Sequence, residues 1–127
     1  MRYVDWEYYS ALYSDVGQED FERINPRACA KLDVYTHMRA AEFEVAYDPD
    51  AASAFQRKVH GQIMDTVCAL INLMYVQEAS GAGNGLASVS NDGYSESYKI
   101  TTQAEKESEV ASLIYQGLSG TGLAGAL

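Results

Sequence analysis

The segment from about Pro49 to Ser80 constrains this chain more than any other. Phe55, Val59, Ile63, Val67, Leu70, Ile71 and Met74 recur there at three- and four-residue spacing, and Met64, Leu73 and Tyr75 widen the stripe. That period belongs to an α-helix rather than a strand. A helix over most of that segment runs roughly 40 Å. A stripe so wide faces neighbours on more than one side, within the subunit or across an interface. The richest apolar run, Ile63 to Val76, is interrupted by Asp65 and Asn72, so it is too short and too polar to span a bilayer. The expectation is a soluble bundle packed around one long helix.

The flanking segments supply its partners. Asp5 can cap a short helix over residues 5–14, in which Trp6, Tyr9 and Tyr13 share a face and Gly17 closes the segment. A second helix starts near Gln18-Glu19-Asp20, where acids suit the positive end of the helix dipole. Phe21, Ile24, Ala28, Leu32 and Tyr35 then trace one face to about Met38. Pro26 lies inside this pattern, and a turn or bend is expected there, with the main helix running from about Pro26. Glu42-Phe43-Glu44-Val45 reads equally as helix end or loop, and Tyr47-Asp48-Pro49-Asp50 is a turn signal.

Beyond the long helix the texture changes. Gly81-Ala82-Gly83-Asn84-Gly85 makes further helix costly. Asn91-Asp92-Gly93 between two short alternating runs predicts a β-hairpin, with Tyr94, Tyr98 and Ile100 on one face. A lone hairpin is marginal in water, so residues 81–101 must pack on something or become ordered on assembly. Thr102 and Glu105 form a capping box for a last helix carrying Val110, Leu113, Ile114 and Leu118. Residues 118–127 are glycine-rich and read as a flexible tail whose leucines can dock. Together these features predict one mainly α domain over residues 1–127. Its form is a small bundle of about four helices, one of them long, with a projecting loop or hairpin.

The 127 residues carry a formal charge of −9. Residues 1–22 place Arg2 alone against Asp5, Glu7, Asp15, Glu19, Asp20 and Glu22. No basic stripe exists to grip phosphates, and an acidic chain is repelled by nucleic acid and anionic membranes alike. Catalytic patterns are missing as well. His37 and His60 sit in no metal-binding motif, and Cys29 and Cys68 have no ligand spacing. The two cysteines read as buried thiols, with a pair left open if their helices meet. Gly81 to Leu86 echoes a dinucleotide loop but follows a helix and misplaces the third glycine. Asp48/Asp50 and Glu105/Glu107/Glu109 read as solvated charge. No catalytic, cofactor or metal residue is assigned, so the chain is not expected to be an enzyme. The opening residues lack the apolar core of a secretory signal, which points to the cytoplasm. Ten tyrosines, a residue favoured at interfaces, point to contact with other proteins.

Five stretches, in order, carry a resemblance. They are Asp5-Trp6-Glu7-Tyr8-Tyr9, Glu19-Asp20-Phe21-Glu22-Arg23-Ile24, Ala28-Cys29-Ala30-Lys31-Leu32-Asp33, Ser88 to Tyr98, and Leu118-Ser119-Gly120-Thr121-Gly122-Leu123. In that order the chain resembles the small head–tail connector (adaptor) proteins of long-tailed phages and prophages, especially those of Gram-positive bacteria. The chain departs from that family where it ends Ala124-Gly125-Ala126-Leu127, since members often continue with a basic or aromatic tail. The resemblance implies a structural virion protein made in the host cytoplasm. Copies would form a ring of portal symmetry, twelvefold, beneath the portal protein at the head–tail junction, while the isolated protein is left open between a monomer and a ring. The ring would extend the DNA channel without specific DNA binding and offer a platform to a stopper or tail-completion protein. Contacts with the portal or neighbouring subunits would then fall on Tyr94, Tyr98, Ile100, Leu118, Gly120, Thr121, Gly122 and Leu123. The alternative is another phage assembly or DNA-packaging accessory protein.

Overall fold

The computed structural model describes residues 2–79 and 103–124. Helices cover 74% of the described residues, which contain no strand. In chain order they are α1 (Trp6–Leu12), α2 (Gln18–Tyr35), α3 (Arg39–Ala46), α4 (Ala54–Ala79) and α5 (Gln103–Gly117). The helix beyond the four expected is α3, which takes in the Glu42 to Val45 stretch that the sequence leaves between helix and loop. The expected hairpin over 81–101, with Tyr94, Tyr98 and Ile100, and the Thr102 half of the capping box lie outside the described residues.

The central element is α4, whose 26 residues span about 39 Å. It begins at a capping box the sequence reading passed over. The Gln56 amide donates to Ser53 Oγ at 3.1 Å, and the Ser53 amide donates to Gln56 Oε1 at 2.8 Å. Val59, Ile63, Val67, Leu70, Ile71 and Met74 are buried as their spacing predicts, together with Thr66 and Cys68. Phe55 is not; it is 59% exposed. All of residues 54–58 are exposed, so α4 overhangs the bundle by more than a turn and its stripe starts to be covered only at Val59.

Packed against α4 are α2 on one side and α5 on another. The bend expected at Pro26 is corrected: α2 runs unbroken through it. Proline leaves the carbonyl four residues earlier without its amide donor, at a cost of about 3 kcal/mol or more. That carbonyl belongs to Glu22, which is exposed and open to water. Phe21, Ile24, Ala28 and Leu32 lie buried on both sides of the proline. At roughly 1.5–3 kcal/mol for each large side chain, their burial outweighs the loss. Asn25 adds to the hold: its Nδ2 donates to the Val4 carbonyl at 3.0 Å, and its Oδ1 lies 3.4 Å from Cys29 Sγ. That hydrogen bond keeps Tyr3 and Val4 buried along α2. The Tyr3 hydroxyl donates to Asp33 Oδ1 at 2.5 Å.

Asp5 caps α1 as expected, accepting from the Tyr8 amide at 2.8 Å. The aromatic face of α1 seals the core end: Trp6 meets Phe21 edge-on at 5.5 Å, and Tyr9 lies 5.2 Å from Phe21. The two polar residues that break the α4 stripe both serve α1. Asn72 accepts from the hydroxyl of the fully buried Tyr9, and Asp65 accepts from the Tyr8 hydroxyl at 2.7 Å. Cys29 and Cys68 are both buried free thiols, so the pair left open by the sequence is not made. Burial pushes the Cys68 thiol up to about 12.

Candidate interaction surfaces

Three surface features stand out, and two of them involve residues singled out by the sequence. The first is the turn after α5. Gly117 lies so close to α4 that a Cβ there would sit 3.0 Å from Thr66 Cγ2 and 3.1 Å from Thr66 Cβ. Glycine at this position lets the two helices touch. Gln62 of α4 then reads the turn, donating from Nε2 to the carbonyls of Gly117 and Ser119, each at 3.1 Å. The chain reverses through Gly120 and Gly122, whose φ angles are +83° and +77°. Side chains are rarely tolerated in that region. Thr121 Oγ1 donates to the Leu118 carbonyl at 2.6 Å and accepts from the Leu123 amide at 3.1 Å.

The expected flexible tail is therefore laid on the bundle over residues 118–124, and residues 125–127 lie outside the described part. Leu118 is 1% exposed and belongs to the subunit's own core, so its side chain is not on offer to a partner. Leu123 and Ala124 pack partly buried against that core. Of the candidate interface residues in this turn, Gly120 and Gly122 are exposed and Thr121 is half-buried. Leu123 is half-buried like Thr121, and Ser119 beside them is exposed.

The second feature is the corner between α2 and α3, which sequence reasoning missed. His37 and Met38 both have positive φ, +53° and +65°. The Met38 amide donates to the Asp33 carbonyl at 2.9 Å and the His37 amide to the Val34 carbonyl at 3.2 Å. This is the hydrogen-bond pattern of a helix-ending left-handed turn, formed here without the usual glycine. Each non-glycine residue in that region costs on the order of 1–2 kcal/mol. The turn carries Met38 outward at 52% exposure, between Val34 at 66% and Val45 at 77%. Met38, Ala41, Glu42 and Val45 line one open groove, and Val34 lines a second with Arg27, Ala30, Lys31 and Met74. Exposed aliphatic side chains thus stand on α2 (Val34), on the turn (Met38) and on α3 (Val45). The signal was present in the sequence, since Val34 and Met38 fall one position off the inward line of buried Ala28 and Leu32 and half-buried Tyr35.

The other side of α3 is bound inward. His60 of α4 stacks on Tyr47 with ring centroids 4.3 Å apart, and Tyr47 stacks on Phe43 at 5.8 Å. His60 Nδ1 lies 2.9 Å from Glu44 Oε2, a contact that becomes an ion pair when the imidazole is protonated. His60 is thus a helix-packing residue, while His37 is exposed in the turn.

The third feature is a polar cleft of about 160 Å³ between α2, α4 and α5. Arg27, Lys31, Glu78 and Glu107, which line it, are matched across helices. Glu78 accepts from Arg23 at 2.6 Å and from Arg27 at 2.7 Å. Glu107 accepts from Lys31 and, at 2.7 Å, from the Tyr35 hydroxyl. The Arg23 and Arg27 guanidiniums hold the Glu78 carboxyl below the usual range, and Lys31 with Tyr35 does the same for Glu107. These links clamp α2 to the facing ends of α4 and α5. Gln77 adds another, donating from Nε2 to the Lys106 carbonyl at 3.1 Å and to Glu109 Oε1 at 3.0 Å.

Among the described residues no group of three or more His, Cys, Asp or Glu is placed to hold a metal ion. Nor is any of their helices long and apolar enough to cross a membrane. Among the described residues the large hydrophobic side chains left exposed are Leu12, Val34, Met38, Val45, Phe55, Val76 and Tyr115, of which Val34, Met38 and Val45 stand together at the α2–α3 corner. No family model, curated protein or solved structure matches the chain.

Proposed function

We propose that this chain is a structural assembly protein of the head–tail connector kind, whose copies join in a ring beneath a portal protein and carry a stopper or tail-completion protein. The observation that carries the reading is the α2–α3 corner. There Val34, Met38 and Val45 stand exposed, held outward by a turn with two non-glycine residues at positive φ. Backbone strain and exposed aliphatic side chains both cost stability in an isolated domain, and strain of this kind clusters at sites of recognition. The acidic balance supports the same reading, because a channel wall that must let DNA slide gains from repelling it. The alternative, a DNA-packaging accessory protein that grips nucleic acid, needs a basic surface that a chain of charge −9 does not favour.

The test is co-expression with a portal protein from the same phage or prophage genome, co-purification, and mass measurement of the complex. One copy per portal subunit is expected, with capture falling at least tenfold in Val34→Asp and Val45→Asp. Failure to bind either the free portal or portal-bearing capsids refutes the connector reading. Undiminished capture by both variants removes the corner from it. A shift of DNA in a low-salt gel would favour the packaging alternative instead.

A further inference from the structure

We draw no further inference here: the strongest candidate, the exposed aliphatic group of Val34, Met38 and Val45 at the α2–α3 corner, belongs to the surface already described, and nothing in the structure shows what covers it.

Discussion

Replacing Gly117 by alanine isolates the contact that fixes the last helix and the turn after it. The new methyl would meet Thr66 Cγ2 at 3.0 Å and Cβ at 3.1 Å, with Oγ1 far inside contact. Thr66 cannot swing aside. It is β-branched, 3% exposed, and sits in the middle of α4, where its χ1 angle is restricted. The last turn of α5 must retreat instead. Retreat loosens both Gln62 hydrogen bonds, to the Gly117 and Ser119 carbonyls. Overpacking of this kind costs about 1–3 kcal/mol, and the better helix propensity of alanine returns at most about 1 kcal/mol. The net expectation is a loss of about 1–2 kcal/mol, or roughly 4–8 °C in Tm for a chain of this size. Thr66→Ala removes the Oγ1 and Cγ2 contacts and leaves only the one to Cβ. The double variant Thr66→Ala/Gly117→Ala should therefore melt higher than the sum of the single effects allows, with a favourable coupling of about 1 kcal/mol. Urea and thermal unfolding of the four proteins, followed by far-ultraviolet circular dichroism, give the cycle. A Gly117→Ala protein as stable as the parent, or single effects that simply add, would refute the packing argument.

Three further outcomes follow from the described contacts. Glu78 and Glu107 have folded-state pKa values below the ordinary carboxylate range, so their stabilisation is present above the unfolded value of about 4.3 and lost as pH falls through the folded one. Urea midpoints should drop between pH 6 and 3, and the drop should shrink in Glu78→Gln/Glu107→Gln; the loss is modest because the ion pairs are partly solvent-exposed. At the alkaline end, burial and the Asp33 and Asp65 carboxylates push the Tyr3 and Tyr8 hydroxyls far up, and burial lifts Tyr9 to about 12. Their stabilisation is present below the unfolded value of about 10 and lost above it, so absorbance at 295 nm should show these tyrosines ionising late, together with unfolding. Lastly, Met38→Gly relieves a left-handed residue and should raise stability by about 0.5–1 kcal/mol, read as a higher urea midpoint; a lower midpoint would mean that the Met38 side chain matters more to the fold than its backbone strain.

Much of the fold was legible because burial follows periodicity. The α4 stripe from Val59 to Met74, the α2 face from Phe21 to Leu32 and the Asp5 cap all lie where spacing and side-chain chemistry put them. The errors came where a local rule met a tertiary contact. Pro26 ends an isolated helix, but here apolar burial on both sides carries α2 across it. Phe55 fits the period of α4, yet period cannot say where the neighbouring helices stop. Glycine content marks residues 118–124 as loose, whereas Gly117 allows close approach to Thr66 and Gly120 and Gly122 allow the reversal that seats Leu123. The α2–α3 corner was harder still, because a helix-ending turn without glycine leaves little trace in composition. Only the placement of Val34 and Met38 beside the buried line pointed outward.

The tyrosines bear on how a partner would be held. Eight of the ten lie among the described residues, and all but Tyr115 are buried or half-buried. Tyr3, Tyr8 and Tyr9 spend their hydroxyls on Asp33, Asp65 and Asn72, and Tyr35 on Glu107. Tyr47 is stacked between Phe43 and His60. These aromatic rings therefore serve the subunit itself; among the described residues Phe55 and Tyr115 are the aromatic side chains left exposed, and what the α2–α3 corner offers a partner is aliphatic. Val34, Met38 and Val45 present roughly 120–230 Å² of such surface at their exposures, taking about 60–120 Å² for a whole side chain of this size, well short of the roughly 800 Å² per partner that a stable pairwise complex buries. Lacking aromatic anchors of the kind that dominate tight interfaces, one such contact is weak. A weak contact still suits the proposed ring, because there it is repeated at every subunit and held at high effective concentration by a common template.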